Sequence, residues 1–383
     1  MKSQKWLSAN YFLQYMVQGV FFQYWLFYLT TVKGISVFDA SIIFSMVYLA
    51  RFISGVFLSS IIINKFGMLK SYRIIAILGM LSVLLYSFGE SKLYLLIVTF
   101  LFGLTFFSLT PLTETTASIF LKKENVDYGK VRVFGSISFM LIGILVGGLL
   151  GYVNNIYIYH LLVFMVFMYL IFTFLPYPKI LNEPISSKKN SRNSYKWMKK
   201  DFNAVIIIVT FFFLQISHAA YNNYSVLYLE NLNIEYKWLT GFIVNISVIS
   251  EIIFFVFSAK IIKNISPNKL LIFACGVASF RWLMLGLFAN VYVLSIMQVL
   301  HAITFALAQL SFILILNKNF SDSKILDMQN LYSAVGFQLS AFLGMYIVGY
   351  LWEISIQFVF IVSSIIAFLA FLLSLRIKLY EKK

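Results

Sequence analysis

A chain of 383 residues could hold two or three soluble domains, but 61% hydrophobic and only 11% charged residues, with a mean hydropathy of +0.88, exclude an ordinary soluble globule. The formal net charge of +16 does not point to nucleic acid, because no soluble domain exists to carry a basic face, and membrane topology accounts for it better. The single Cys275 lies in an apolar run and excludes a disulfide framework or a cysteine metal site within one chain.

A helix needs about 20 mostly apolar residues to cross the hydrocarbon core. Dividing the chain at charged residues and at Gly, Pro and Asn breaks gives twelve such segments, at 9–31, 38–63, 71–88, 93–120, 131–152, 156–176, 204–229, 238–263, 269–288, 291–317, 325–351 and 355–376. The expected class is therefore an all-α polytopic membrane protein. The N-terminus, MKSQKWLSANYFLQYM, lacks a small-residue cleavage site and reads as a retained first helix.

Of the 30 Lys and Arg, only Lys33, Lys92 and Lys237 fall in loops opposite the N-terminus, and Arg51 and Arg281 fall within helices. The remainder share the N-terminal side. That bias predicts a multi-pass protein of a bacterial-type cytoplasmic (plasma) membrane with both termini in the cytoplasm. The long polar stretch Tyr177 to Asn203 predicts a cytoplasmic linker, 177–203, between six-helix bundles at 1–176 and 204–383. Short basic turns after the second and eighth segments, Ile63 to Arg73 and Ile262 to Leu271, echo one another as in a parallel repeat. Together these features suggest a major facilitator fold with a central cavity.

A charge inside the bilayer costs at least about 2.5 kcal/mol, so each one should face the interior and find a partner. The intramembrane charges are Arg51, Glu114, Arg132, Glu251 and Arg281, with His218 and His301 as titratable neighbours. Glu114 and Arg132 flank a turn, so antiparallel helices can bring them to similar depth. There they either hydrogen-bond a polar solute or hold the two helices together as an ion pair. Phe139, about two helical turns beyond Arg132, offers an apolar face beside them or simply packs. Glu251 is a candidate proton carrier, against a permanently paired acid. Arg281 and His301 follow as its neighbours, whereas His218 is read as a packing residue. Asn222 and Asn223, with Gln298 and Gln309, can bind solute or bridge helices. Arg51 has no obvious local partner beyond Asp39 at the start of its helix. Walker A, HExxH and GxSxG patterns are absent, so neither ATP drive, an enzyme activity nor a cofactor or metal is expected.

The segment YGKVRVFG, Tyr128 to Gly135, with Glu114 and Arg132 around it and with FRW and LHAITFA at Arg281 and His301, resembles the sugar/proton symporters typified by lactose permease and the related phenylpropionate permease group of the major facilitator superfamily. The resemblance runs over nearly the whole chain. It implies that Glu114 and Arg132 bind solute, with Phe139 where the family has a stacking tryptophan, and that Arg281 and His301 belong to the proton machinery. Four departures stand out. The helix-ten acid falls at Thr304, Glu251 sits about one turn beyond the helix-eight acid, and an Asp/Lys pair is replaced by the neutral Asn222 and Gln298. The second-helix loop also carries Asn64 where the superfamily has Asp.

The resulting expectation is a proton-coupled symporter that imports a sugar, oligosaccharide or related polar or aromatic compound. Glu114, Arg132, Phe139, Asn222 and Asn223 would bind solute, and Glu251, Arg281 and His301 would couple protons. The alternatives are a proton-driven drug or lipid antiporter, disfavoured by a fifth segment lacking a Gly-Pro signature, and a solute sensor on a transporter scaffold. The expected partners are a small molecule, protons and the lipid bilayer, with no nucleic acid, and the expected state is a monomer.

Overall fold

The computed structural model describes residues 2–55, 59–182, 197–232, 237–261 and 265–379. The centre of the expected linker at 183–196, the start of the second basic turn at 262–264 and residues 56–58 of the second apolar segment lie outside the described residues. Among the described residues the protein is built from helices, the arrangement that lets an apolar chain satisfy its backbone N–H and C=O groups without water.

The chain forms two compact units, one of Met1–Lys188 with Lys237–Gly241 and one of Lys189–Tyr236 with Phe242–Lys383. The first unit contains α1 (Ser3–Thr31), α2 (Val37–Ile53), α3 (Ser59–Phe66), α4 (Met68–Leu84), α5 (Lys92–Thr105), α6 (Leu109–Glu124), α7 (Tyr128–Leu149) and α8 (Tyr157–Phe174). The second contains α9 (Phe202–Asn222), α10 (Ser225–Asn231), α11 (Thr240–Ile261), α12 (Pro267–Leu287), α13 (Val291–Val299), α14 (Ala308–Asn319), α15 (Asp322–Leu331), α16 (Ser340–Ile354) and α17 (Ile356–Ser374).

Ten helical spans among the described residues are long and apolar enough to cross a membrane. The other two predicted segments correspond to α1, which is 29 residues long but carries the buried polar residues Asn10, Gln14, Gln18 and Gln23, and to α2, described for 17 residues. Two spans contain breaks that the apolar pattern hides. The 33-residue span Lys92–Glu124 is interrupted by a 3-10 turn at Phe106–Ser108, just ahead of Pro111. A proline lacks an N–H and its ring crowds the carbonyl four residues back, so the helix yields upstream of it and restarts as α6. The predicted segment 204–229 is likewise divided at Asn223 and Tyr224, between α9 and α10.

In the first unit α1 lies tightly against α7. A Cβ on Gly19 would fall 3.0 Å from the Phe139 carbonyl oxygen and 2.3 Å from Ile142 Cγ2, so only glycine permits the approach. Gln23 Nε2 donates to the Phe139 carbonyl at 3.2 Å, and the Tyr24 hydroxyl donates to the Gly143 carbonyl. These contacts fix the helix that carries Arg132. In the second unit α12 packs against α17, and α9 packs against α16 and α17.

Candidate functional site

Two polar clusters stand out, one in each unit. The first is built across the α6–α7 turn. Asn125 ends α6 in the left-handed conformation (φ 51°), and the Asp127 carboxylate caps α7 by accepting from the Lys130 N–H at 3.1 Å. That N–H holds the Asp127 carboxyl below the usual carboxylate range. The reversal brings Glu114 and Arg132 together, with Arg132 Nε 3.8 Å from Glu114 Oε1. This is an ion pair but too long for a hydrogen bond. Tyr128 donates its hydroxyl to the other carboxylate oxygen at 2.9 Å. The guanidinium carbon of Arg132 lies 4.4 Å from the centre of the Tyr15 ring and 5.5 Å from that of Tyr11. Neither tyrosine stands out in the sequence, because an aromatic in α1 is one of many. Arg132 Nη1 is buried and makes no hydrogen bond. Phe139 is half-buried farther along α7.

The second cluster surrounds Arg281, which is fully buried in α12. Its Nη1 bonds His301 Nδ1 at 2.9 Å and Thr304 Oγ1 at 3.0 Å, and its Nη2 donates to Gln298 Oε1 at 2.8 Å. The Trp282 ring lies 4.4 Å from the guanidinium carbon. His301 Nε2 is 2.8 Å from Glu251 Oε1. Because a guanidinium only donates, His301 Nδ1 accepts, which leaves the proton on Nε2 to be donated to Glu251. The same logic extends to His218, whose Nδ1 donates to the Leu214 carbonyl at 2.8 Å and whose Nε2 meets Thr304 Oγ1 at 3.1 Å. In the neutral imidazole that Nε2 is an acceptor, so Thr304 accepts from Arg281 and donates to His218.

Glu251, Arg281 and His301 are thus brought together, though with the imidazole between the two charges. His218, read from the sequence as packing, joins them through Thr304. Gln298 faces Arg281, and Asn222 is exposed at the end of α9 with Asn223 buried beyond it. The recurrence of Gln298, His301 and Thr304 at every third residue was the available signal for a shared face. The π-wound stretch Ala302–Leu307 that places Thr304 leaves no such mark in the sequence. Asp39, the only local acid near Arg51 in sequence, is paired with Lys92 instead.

The family described as MFS_1 like family matches residues 5–362. A probable 3-phenylpropionic acid transporter of Escherichia coli (strain K12) is 26% identical over 371 residues, 96% of each chain. An uncharacterized transporter of Bacillus subtilis (strain 168), YwbF, is 22% identical over 279 residues, 72% of this chain and 68% of that one. Among solved structures, the nucleoside transporter NupG aligns with a TM-score of 0.85 at 15% identity, over 99% of this chain and 100% of its own. An aspartate-to-alanine mutant of the same transporter aligns with a TM-score of 0.86 at 14% identity, over 98% and 100%. At that identity the likeness is one of fold. The chain belongs to the MFS_1 like family, and its homologues and fold are those of transporters, not of enzymes.

Proposed function

We propose that this member of the MFS_1 like family, a multi-pass transporter of the major facilitator type, imports a small solute together with protons by alternating access. The observation that carries the proposal is the line of hydrogen bonds from Glu251 through His301 to Arg281, with distances of 2.8 and 2.9 Å. Glu251 is its accessible end, with 22% of the side chain exposed, whereas Arg281 is fully enclosed. Protonating Glu251 removes the negative charge that balances Arg281 across the imidazole, so the proton and the guanidinium are coupled electrostatically. Gain or loss of that proton is the step we assign to coupling.

In this proposal Glu114, Arg132 and Phe139 are the solute-binding residues of the bundle at 1–176, and Asn222 and Asn223 are those of the bundle at 204–383. Kinship over 96% of the chain with a probable 3-phenylpropionic acid transporter supports an aromatic acid as solute. A sugar is the second reading, supported by an acid, an arginine and an aromatic residue on α6 and α7. Cytoplasmic termini are supported by charge: two of the three lysines on the opposite side, Lys33 and Lys92, are matched by Glu90 and Asp39.

The test is uptake into proteoliposomes under an imposed pH gradient, acid outside, with labelled 3-phenylpropionate and labelled lactose. Wild-type protein should accumulate one of them above equilibrium and lose the accumulation when a protonophore is added. Glu251→Gln should equilibrate that solute without concentrating it. Continued accumulation by Glu251→Gln would remove the coupling assignment.

A further inference from the structure

Of the charges read from the sequence as intramembrane, three belong to the first unit: Arg51 on α2, Glu114 on α6 and Arg132 on α7. Two are cations and one is an anion. Both oxygens of Glu114 are already engaged, one by the Tyr128 hydroxyl at 2.9 Å and one by Arg132 at 3.8 Å. Among the described residues, Arg51 meets neither a carboxylate nor a hydrogen-bond acceptor. Its guanidinium carbon lies over two rings instead, 5.3 Å from the centre of Phe22 and 5.9 Å from that of Phe107. Contacts with ring faces leave the in-plane N–H donors of a guanidinium free. Phe107 is fully buried within the unit, so Arg51 is aimed inward and not toward lipid.

Arg132 is short of acceptors in the same way, since its Nη1 is buried with no partner. Both arginines lie against α1: Arg132 is 4.4 Å from the Tyr15 ring and Arg51 is 5.3 Å from the Phe22 ring, seven residues and about two helical turns along. An unbalanced cation among membrane helices is expensive, and its usual partner is a neighbouring residue or a ligand. Among the described residues no carboxylate serves Arg51. A neutral sugar would leave the excess charge in place, whereas a carboxylate would cancel it and accept from the free guanidinium donors.

We propose that Arg51 and Arg132 form an organic-anion site in the first unit, binding a carboxylate whose apolar body lies against Phe22 and Tyr15. This deepens the importer reading above by assigning the charge of the solute and the residue that selects it. Arg51 is the selective element, because Arg132 already has Glu114 as counter-charge.

The test is equilibrium binding to the purified full chain in lipid nanodiscs at neutral pH, with labelled 3-phenylpropionate, its uncharged amide and lactose. Wild-type protein should prefer the acid to the amide by about tenfold or more, as a charge-assisted pair requires. Arg51→Gln should erase that preference by weakening the acid far more than the amide. Arg51→Lys, which keeps the charge but loses the planar fork, should fall between the two. The site is overturned if the acid binds no better than the amide, binding by neither included. It is also overturned if lactose alone binds, or if Arg51→Gln weakens acid and amide in parallel. Should Arg51→Gln fail to fold, the lysine variant decides, and wild-type acid preference in it overturns the site. Loss of preference without proton-driven accumulation would leave the anion site standing and remove the coupling reading. Proton-driven accumulation with full acid preference in Arg51→Gln would do the reverse.

Discussion

The Glu114–Arg132 cluster and the Glu251–His301–Arg281 cluster use the same chemical groups and differ in how far they satisfy themselves. In the first, the two side chains are 40% and 32% exposed, stand 3.8 Å apart and leave a buried Nη1 without an acceptor. In the second, Arg281 is fully enclosed and makes three bonds of 2.8 to 3.0 Å, although its Nε and the Nε2 of Gln298 are buried without acceptors. A cluster held by several short internal bonds resists rearrangement and ties its charges to one another. A loose cluster keeps donors available. The contrast supports the proposal that the first cluster recognises solute and the second carries the proton linkage.

The contrast breaks most visibly at the two arginines. Arg281→Met should abolish transport and destabilise the protein by about 3–5 kcal/mol, because His301, Thr304 and Gln298 lose their common donor and Glu251 its counter-charge. Arg132→Met should cost less than about 1 kcal/mol, since a half-exposed pair contributes little to stability, while solute affinity falls sharply. Thermal unfolding in detergent reads both. Equal destabilisation by the two substitutions would mean that the first cluster is a structural clamp.

A smaller effect is expected at Thr304, which accepts from Arg281 and donates to His218. Thr304→Val leaves a buried acceptor on His218 unsatisfied, for about 1–3 kcal/mol of stability. Thr304→Ser keeps the hydroxyl and should restore both stability and the pH dependence of accumulation. Failure of serine to rescue would show that the methyl group, and not the hydrogen bond, matters at this position.

The fold and the pairing of Glu114 with Arg132 were legible in the sequence for the same reason: in lipid, apolar length and the rarity of charge are strong signals. The resemblance to the sugar/proton symporters likewise implied one cluster for Arg281 and His301. The parts that stayed hidden depend on where neutral groups point. Thr304 reads as the loss of an acid, yet in the structure its hydroxyl joins two titratable side chains. His218 reads as packing because a lone histidine in an apolar helix carries no sign of its partner on another segment. Asn222 and Gln298 read as the remains of one pair, whereas Gln298 has Arg281 as its partner. Tyr15 could not be distinguished among 24 tyrosines until Arg132 was placed on its ring.

A smaller contrast lies within the first cluster itself. Tyr128→Phe removes a hydroxyl from Glu114 at a position open to solvent, so a loss of about 1 kcal/mol or less is expected. Solute affinity should fall a few-fold as the carboxylate gains freedom. An unchanged affinity in the binding assay would place Tyr128 outside the recognition site.

The smallest expected effect lies at the membrane surface, where exposure removes most of what an ion pair can contribute. Lys33 donates to Glu90 at 2.9 Å, and this hydrogen bond holds the Glu90 carboxyl below its usual range. A carboxyl with a depressed folded pKa adds stability above its unfolded value of about 4.3, and that contribution disappears as the pH falls through the lower, folded value. Glu90→Gln should therefore differ from wild type only slightly at neutral pH and low salt. The difference should vanish in acid below that window, and also at high salt, because the pair faces solvent. Melting curves at two pH values and two salt concentrations suffice. A difference that persists in acid or salt would mean that Glu90 acts through something other than its charge, and that the contrast between exposed and enclosed pairs is less steep than the two clusters imply.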